Sequence, residues 1–219
     1  MKILEGACVA ILIIHSIISY FCATSEIMDY IGQLDTEVFF FLNGLHAPWL
    51  DQIMFYLSNT LTSIPLFIFL IYLLAKTFGK KIWIPLLCIG ICIALTDRIT
   101  SGIMKPGFAR LRPTHEPLIA EKVHTVNGYK GGKFGFASGH AANTFGVAMF
   151  IFLLLRKHYR FVGFMFLWSG AVTYTRIYLG VHYPGDIIVG LSIGLLCGWL
   201  CFKLNEYIQM RLVNRTSTS

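Results

Sequence analysis

The chain of 219 residues is 56% hydrophobic and only 13% charged, whereas soluble domains carry about a quarter charged residues. This composition excludes an ordinary soluble globular domain and indicates a protein that has a lipid bilayer as its solvent. The net charge of +7 would suggest nucleic acid in a soluble protein. In a membrane protein, cations collect in the cytoplasmic loops, so no nucleic-acid partner is predicted. The whole chain, residues 1–219, is predicted to form one integral membrane domain.

Six apolar runs are predicted to form transmembrane helices. They are residues 6–23, 57–75, 82–96, 134–155, 161–175 and 187–202. Because a helix needs about 20 residues to cross the hydrocarbon core, the third run is extended through Met104, the fifth through Tyr178 and the sixth backwards to Tyr183. The first run could instead be a cleaved signal peptide, since Lys2 precedes it and small residues follow it; a retained span is preferred. The predicted fold class is an all-α polytopic membrane helical bundle with about six transmembrane helices.

The segment between the first two runs, residues 24–56, carries acidic residues but no Lys or Arg. It is predicted to form an interfacial helix or helix pair, with Trp49 and Tyr56 at the depth of the lipid headgroups. The short connections 76–81 and 156–160 are basic, as is the C-terminal tail. By the positive-inside rule, both termini are therefore predicted to be cytoplasmic.

The loop 105–133 breaks this pattern of charge. It is long and lies on the predicted outer side, and it is nevertheless rich in Lys and Arg. A purely structural loop on that side has little reason to be so basic. The loop is therefore predicted to contribute to function.

Three polar clusters lie at the outer ends of predicted spans three to six. The first, in KPGFARLRP, contains Lys105, Arg110, Arg112 and Pro113; the second, in FASGHAANTF, contains Ser138, Gly139 and His140; the third, in TRIYLGVHYPGDIIVG, contains Arg176, His182 and Asp186. Charged residues beside membrane spans are costly and usually functional, typically facing a polar cavity. The three clusters are therefore predicted to converge on one pocket.

The residue types in these clusters suit a phosphate group. Guanidinium groups bind phosphate oxygens bidentately, and a lysine adds a point charge. Ser138 and Gly139 open a predicted helix, where backbone N–H groups and the helix dipole favour an anion. Pro184 suits the first turn of the last helix, because its missing N–H would have no partner there.

Two histidines add reactive chemistry to this binding site. Asp186 follows His182 by four residues, which allows a hydrogen bond between carboxylate and imidazole. Such a bond would fix the tautomer of His182 and raise the nucleophilicity of its other ring nitrogen. His140 could then protonate the leaving oxygen.

The cysteines are interpreted as structural. All six lie in apolar runs, and they are predicted to act as small hydrophobic residues in helix packing. The pairs Cys88/Cys92 and Cys197/Cys201 have one-face helical spacing, which would also allow a metal pair, but the packing interpretation is strongly preferred. No metal site is predicted.

Other polar residues receive structural interpretations as well. Asp97 and Arg98 are predicted to form an ion pair that supports Lys105. His15 is interpreted as a core residue. The residues predicted to be solvated or to contact lipid headgroups are His46, His115, His124, His158, Lys122, Lys130 and Lys133.

At the three clusters the sequence resembles the type 2 phosphatidic acid phosphatase family, which includes membrane lipid phosphatases and relatives of vanadium haloperoxidases. The family pattern is Lys, six residues, Arg-Pro; then Pro-Ser-Gly-His; then Ser-Arg, five residues, His, three residues, Asp. The matching residues are Lys105, Arg112, Pro113, Ser138, Gly139, His140, Arg176, His182 and Asp186. The chain departs from the pattern at Ala137, where the family commonly has Pro, and at Thr175, where it commonly has Ser. Both are flanking positions, so activity is expected to survive.

The resemblance implies a metal-independent phosphohydrolase that needs no cofactor. His182 would attack phosphorus and become a phosphohistidine, Asp186 would orient it, and His140 would protonate the departing group. The residues expected to hold the phosphoryl oxygens are Lys105, Arg112, Ser138, Gly139 and Arg176. Water would then hydrolyse the phosphoenzyme, and charge stabilisation is the main work in such phosphoryl transfer.

The expected substrate is a phosphorylated envelope lipid in the membrane. The long basic loop 114–136 could accommodate a large anionic headgroup, which favours lipid A phosphate or undecaprenyl pyrophosphate over phosphatidylglycerol phosphate or phosphatidic acid. A phosphoryl transferase and a non-catalytic transporter of phosphate-bearing lipids remain as alternatives. The expected location is the bacterial inner membrane, with the site facing the periplasm. The sequence leaves the oligomeric state open.

Overall fold

The computed structural model of the chain describes residues 26–216 and the side chains up to residue 212. No strand occurs within residues 26–216, and the β-type pairing found there is one isolated antiparallel bridge between Leu111 and Phe134. The predicted all-α fold class is therefore confirmed. The predicted first span, its signal-peptide alternative and His15 lie outside the described residues.

The chain divides into two compact units, residues 1–38 and residues 39–219. The boundary falls within helix α1, residues 26–43. In the first unit the hydroxyl of Thr36 donates to the Gly32 carbonyl at 2.8 Å, so the polar side chain is satisfied by its own helix. All residues of the predicted site belong to the second unit.

Seven further helices follow in the described residues. They are α2 (Pro48–Leu57), α3 (Ile64–Phe78), α4 (Trp83–Asp97), α5 (Lys105–Phe108), α6 (Gly139–Leu155), α7 (Phe164–Tyr178) and α8 (Pro184–Thr216). Short connections join them, except for the long loop between α5 and α6. A π-helical segment, Arg98–Met104, joins α4 to α5 without a break. The predicted helix pair after the first span is thus present as α1 and α2, and its depth in the membrane stays a prediction.

Three described stretches of helix are long and apolar enough to cross a membrane: Thr60–Lys81, Trp83–Phe108 and Pro184–Leu212. The second includes the predicted extension through Met104. The last helix begins at Pro184, as predicted from the preference of proline for the first turn of a helix. The outer surfaces of these stretches expose large apolar side chains, for example Ile68, Leu87 and Leu196, which a bilayer would cover.

One predicted boundary is confirmed and another is wrong. The helix of the fourth run opens at Ser138 and Gly139 as predicted, because Ser138 caps it in an extended conformation and α6 begins at Gly139. Residues 57–59 do not belong to the second span, since Leu57 ends α2 and the span begins with a tight turn at Thr60. The total number of spans stays a prediction, because α6 and α7 have only 17 and 15 residues.

Helices α6 and α8 run parallel and nearly touch. A Cβ added at Gly190, Gly194 or Gly198 would lie 2.4, 2.4 or 2.3 Å from the backbone oxygens of Ser138, Ala142 and Gly146, respectively. Glycines four residues apart let helix backbones approach this closely. The contact places the N-termini of α6 and α8 side by side at one end of the bundle, where the Ser138 N–H donates to the Asp186 carbonyl at 2.9 Å.

The buried apolar core lies between α3, α4, α6, α7 and α8. Fully buried members include Leu74, Phe150 and Ile151. The four described cysteines, Cys88, Cys92, Cys197 and Cys201, are free thiols buried in the same core. They occupy the packing positions that the sequence predicts.

Candidate active site

Lys105 stands at the end of the π-helical segment that follows α4. Its Nζ donates to the Ser101 hydroxyl at 3.1 Å, and that hydroxyl donates to Asp97 at 3.1 Å. Asp97 therefore supports Lys105, but the predicted ion pair with Arg98 is wrong. Adjacent helical residues do not face each other, and the Arg98 side chain lies instead along Gly102.

Arg112 is buried beneath the loop that precedes α6. Its Nε donates to the Phe134 carbonyl at 3.1 Å and its Nη1 to the Val181 carbonyl at 3.3 Å. Burial lowers the pKa of Arg112, and the charge of Arg176 lowers it further, but an arginine stays charged at physiological pH. The two guanidinium groups repel each other, and an anion between them would relieve that repulsion.

Ser138 and Gly139 form the start of α6. The Ser138 hydroxyl is fully buried and accepts a hydrogen bond from the Ala141 N–H at 3.4 Å, so it serves as the helix cap. A capping hydroxyl still has its own hydrogen to donate. A Cβ at Gly139 would lie 3.9 Å from Lys105 Nζ, which places the start of the helix beside the lysine.

His182 and Asp186 form the hydrogen-bonded pair that their spacing predicts. The Nδ1 of His182 lies 3.2 Å from Asp186 Oδ2, and both side chains are almost completely buried. Burial lowers the pKa of His182 to about 4, although the hydrogen bond to Asp186 opposes the shift. The imidazole is therefore neutral near pH 7, with Nε2 as the nitrogen that Asp186 does not engage.

Arg176, at the end of α7, is only 3% exposed. One terminal nitrogen donates to the Ser58 hydroxyl and the other donates to the Tyr129 hydroxyl at 3.0 Å. Its Nε is buried without a hydrogen-bond partner. Leaving a buried N–H unsatisfied is costly, so this atom marks a place for an acceptor such as a phosphoryl oxygen.

Two adjoining cavities open at this end of the bundle. One, of about 230 Å³, is lined by Arg176, Tyr129 and His140. The other, of about 240 Å³, shares His140 and residues 58–60 with the first and continues between apolar side chains: Leu57, Phe67, Ile93, Val147, Trp168 and Val172. A polar pocket thus leads directly into an apolar one.

All eight predicted site residues come together at this end of the bundle. Arg176 and His140 line the polar cavity, while Lys105 lies beside Gly139. Arg112, His182 and Asp186 meet around Gly135, where an added Cβ would be within 3.6 Å of all three.

Sequence reasoning missed three residues. Ser58 and Tyr129 bind Arg176 from positions 118 and 47 residues away in the chain. Arg110, placed in the first cluster but not among the expected site residues, binds Asp186 through Nη1 at 2.9 Å. The buried carboxylate of Asp186 was the available signal, because a buried charge requires a partner.

A second polar cluster lies beside the site. His124 Nε2 is 3.0 Å from Asp51 Oδ1, which also accepts from the Tyr178 hydroxyl at 2.6 Å. The bond from Tyr178 lowers the pKa of Asp51. The His124 ring stacks on His46 at 3.8 Å and is only 19% exposed, so the prediction that His124 is solvated is wrong. His46 and His158 are exposed, as predicted.

Comparison with known proteins identifies the family of the chain. The model of the PAP2 superfamily matches residues 81–210. A lipid A 4'-phosphatase of Bacteroides thetaiotaomicron is 38% identical over 86% of this chain and 84% of its own. A second lipid A 4'-phosphatase, of Porphyromonas gingivalis, is 36% identical over 84% of this chain and 78% of its own.

A solved structure has the same fold. The transmembrane PAP2-type phosphatidylglycerolphosphate phosphatase of Bacillus subtilis superposes with a TM-score of 0.59 at 26% identity, over 82% of this chain and 88% of that one. The family model covers more than half of the chain and every predicted site residue. The chain therefore belongs to the PAP2 superfamily, and it is a membrane-embedded lipid phosphatase.

Proposed function

We propose that the protein removes a phosphate group from lipid A. The observation that supports this most directly is the junction of the two cavities at His140, where the polar cavity lined by Arg176 meets the apolar one. An amphiphile could place its phosphate in the polar part and hydrocarbon in the apolar part. The two lipid A 4'-phosphatases among the relatives favour lipid A, and the 4' position, over the other candidate lipids.

The proposed reaction begins with His182. Its neutral Nε2 attacks phosphorus, and the phosphorus–oxygen bond to the lipid breaks as the nitrogen–phosphorus bond forms. Asp186 holds the Nδ1 proton and stabilises the positive charge that develops on the ring. His140 donates a proton to the departing lipid oxygen.

The phosphoryl oxygens are held throughout by positive groups. The proposed binding groups are the side chains of Lys105, Arg112 and Arg176, the Ser138 hydroxyl and the Gly139 N–H. They compensate the charge that shifts onto these oxygens in the transition state. In the second step water attacks the phosphohistidine, His140 takes a proton from that water, and inorganic phosphate leaves.

We further propose that the protein lies in a bacterial inner membrane, with the site facing the periplasm and both termini in the cytoplasm. The basic connections 76–81 and 156–160 support this orientation through the positive-inside rule. The site lies at the opposite ends of the helices that these connections join.

The test is phosphate release by purified protein in detergent with EDTA present. The panel contains lipid A with its 1- and 4'-phosphates, undecaprenyl pyrophosphate, phosphatidylglycerol phosphate and phosphatidic acid. We expect release from lipid A, with mass spectrometry locating the loss at the 4' position, and no release by His182→Ala. His158→Ala is the matched control, since His158 is exposed and lies beyond the far end of α6.

The panel also distinguishes the alternatives. Faster release from undecaprenyl pyrophosphate would overturn the choice of lipid A. Appearance of phosphate on a second lipid instead of in solution would indicate a transferase. Full activity in His182→Ala would overturn the proposed nucleophile, and loss of activity in EDTA that Mg²⁺ restores would overturn the metal-independent reaction.

A further inference from the structure

Asp186 is held by three donors at once. Its Oδ2 lies 3.2 Å from His182 Nδ1 and accepts the Tyr183 N–H at 3.1 Å. Its Oδ1 accepts from Arg110 Nη1 at 2.9 Å. The carboxylate is 0% exposed, whereas the Arg110 side chain is 30% exposed. Arg110 thus reaches inward from the loop to a charge that no solvent contacts.

Arg110 itself is held in a defined position. Its guanidinium lies 4.0 Å from the centre of the Tyr183 ring, a distance at which cation and ring attract each other. Its backbone carbonyl accepts the Gly135 N–H at 2.9 Å. A Cβ at Gly135 would lie 2.9 Å from Asp186 Oδ2. The loop backbone at Gly135 therefore lies directly against the carboxylate.

This arrangement has a physical consequence for the orientation of Asp186. A carboxylate anchored through Oδ1 by one group and through Oδ2 by others cannot rotate about its side-chain axis. With the Arg110 anchor removed, a buried negative charge would lose its ion pair, which is strongly unfavourable. The carboxylate would then turn, and Oδ2 would no longer hold His182 in one tautomer.

We propose that Arg110 is a positioning residue of the phosphatase reaction, which holds Asp186 so that His182 directs Nε2 at the phosphorus atom. This rests on the proposed role of His182 as nucleophile. Arg110 acts through Asp186 and is assigned no contact with the phosphoryl group.

The charges around His182 determine how removal of Arg110 changes the protonation of the His182–Asp186 pair. Asp186 on α8 attracts a proton to the ring, while Arg112 in the loop and Arg176 on α7 oppose protonation. His140 on α6 interacts electrostatically with His182, and Lys105 on α5 interacts electrostatically with Asp186. Removing the positive charge of Arg110 makes the His182–Asp186 pair easier to protonate, whichever partner holds the proton.

The experiment compares Arg110→Gln, Arg110→Lys and wild-type protein on lipid A in detergent, with kcat/KM measured across pH. For Arg110→Gln we expect a loss of about tenfold to a hundredfold in kcat/KM, as for other residues that orient a reactive group. We also expect the acid limb of its pH profile, where kcat/KM falls as the pH decreases, to move to higher pH by about one unit. Arg110→Lys keeps the charge, so its acid limb should stay near that of the wild type. The titration of the substrate phosphate is common to all three proteins, so a difference between their pH profiles reports on the enzyme.

Arg156→Gln is the matched control. Its guanidinium also lies over an aromatic ring, Phe152, at 5.6 Å, but at the opposite end of α6. We expect wild-type kinetics from it. Thermal unfolding in detergent must show Arg110→Gln folded at the assay temperature.

Two results would overturn the proposal: a folded Arg110→Gln with wild-type kcat/KM, or a reduced kcat/KM with an unmoved acid limb. The second would mean a purely structural contribution. Failure of the proposed function has a different signature, because wild-type protein itself would then release no phosphate from lipid A or would retain activity in His182→Ala.

Discussion

His182 is the residue whose surroundings most directly control its chemistry. Its ring is buried, and burial disfavours the charged imidazolium. Asp186 attracts a proton to the ring, while Arg112 and Arg176 repel one. The balance favours a neutral ring, and a neutral ring is what a nucleophile requires. A histidine exposed to water would be partly protonated near its ordinary pKa of about 6.5.

The pH dependence of His182 follows from its pKa of about 4. Because the pKa is lowered, the neutral form should persist as pH falls below the ordinary histidine value of about 6.5, and protonation should begin only as pH approaches about 4. NMR of protein labelled with ¹⁵N at histidine, titrated in detergent without substrate, measures this directly. The His182 signals are assigned by their loss in His182→Ala. A midpoint near the ordinary value would contradict the lowered pKa.

At the scale of helices, the contact between α6 and α8 brings the proposed acid and nucleophile together. His140 lies in the first turn of α6, and His182 lies two residues before the start of α8. The parallel helices meet through Gly190, Gly194 and Gly198, where no side chain fits. The separation of the two histidines therefore depends on a row of glycines that does no chemistry.

Gly194→Ala tests this dependence. Its Cβ would lie 2.4 Å from the Ala142 carbonyl oxygen and 3.0 Å from the Gly146 nitrogen, so the helices must separate. We expect a loss of about 1–3 kcal/mol in stability, measured by thermal unfolding in detergent, together with a lower kcat because the histidines move apart.

Gly170→Ala is the matched control for that substitution. Gly170 lies within α7 and has no atom within 4 Å of an added Cβ. Alanine is the better helix former by about 1 kcal/mol, so this variant should be as stable as the wild type or slightly more stable. Equal destabilisation by both substitutions would show that the loss does not come from the contact between α6 and α8, because Gly170 takes no part in that contact.

At the scale of the whole molecule, the distribution of charge relates the site to the membrane. The basic loop 105–133 lies at the site end of the bundle, whereas the basic connections 76–81 and 156–160 lie at the other end. The large apolar side chains exposed on α3, α4 and α8 lie between these two polar ends. This distribution supports the proposed orientation, in which the two polar ends lie in different compartments.

The orientation of the molecule is tested by paired single cysteines. Lys130 lies in the loop at the site end, and Lys157 follows α6 at the other end; both side chains are exposed. In intact bacterial cells, a membrane-impermeant maleimide should label Lys130→Cys and leave Lys157→Cys unlabelled until the cells are permeabilised. Unsubstituted protein controls for the native thiols, four of which are buried. The reverse labelling would overturn the periplasmic site and the cytoplasmic termini.

The sequence alone determined the features that depend on neighbours along the chain. Its composition indicated helices in a bilayer, and the spacing of His182 and Asp186 indicated their hydrogen bond, because helical periodicity relates residues four apart. The same rule, properly applied, would have excluded the ion pair between Asp97 and Arg98, since adjacent residues point in different directions.

Only the tertiary structure decided which distant groups complete the site. Arg110 reaches Asp186 across 76 residues, and Ser58 reaches Arg176 across 118. These contacts depend on the path of an irregular loop and on how closely α8 approaches α6. Neither feature leaves a periodic pattern in the sequence. The path of a loop depends on the hydrogen bonds and buried charges that it must satisfy once the helices have packed.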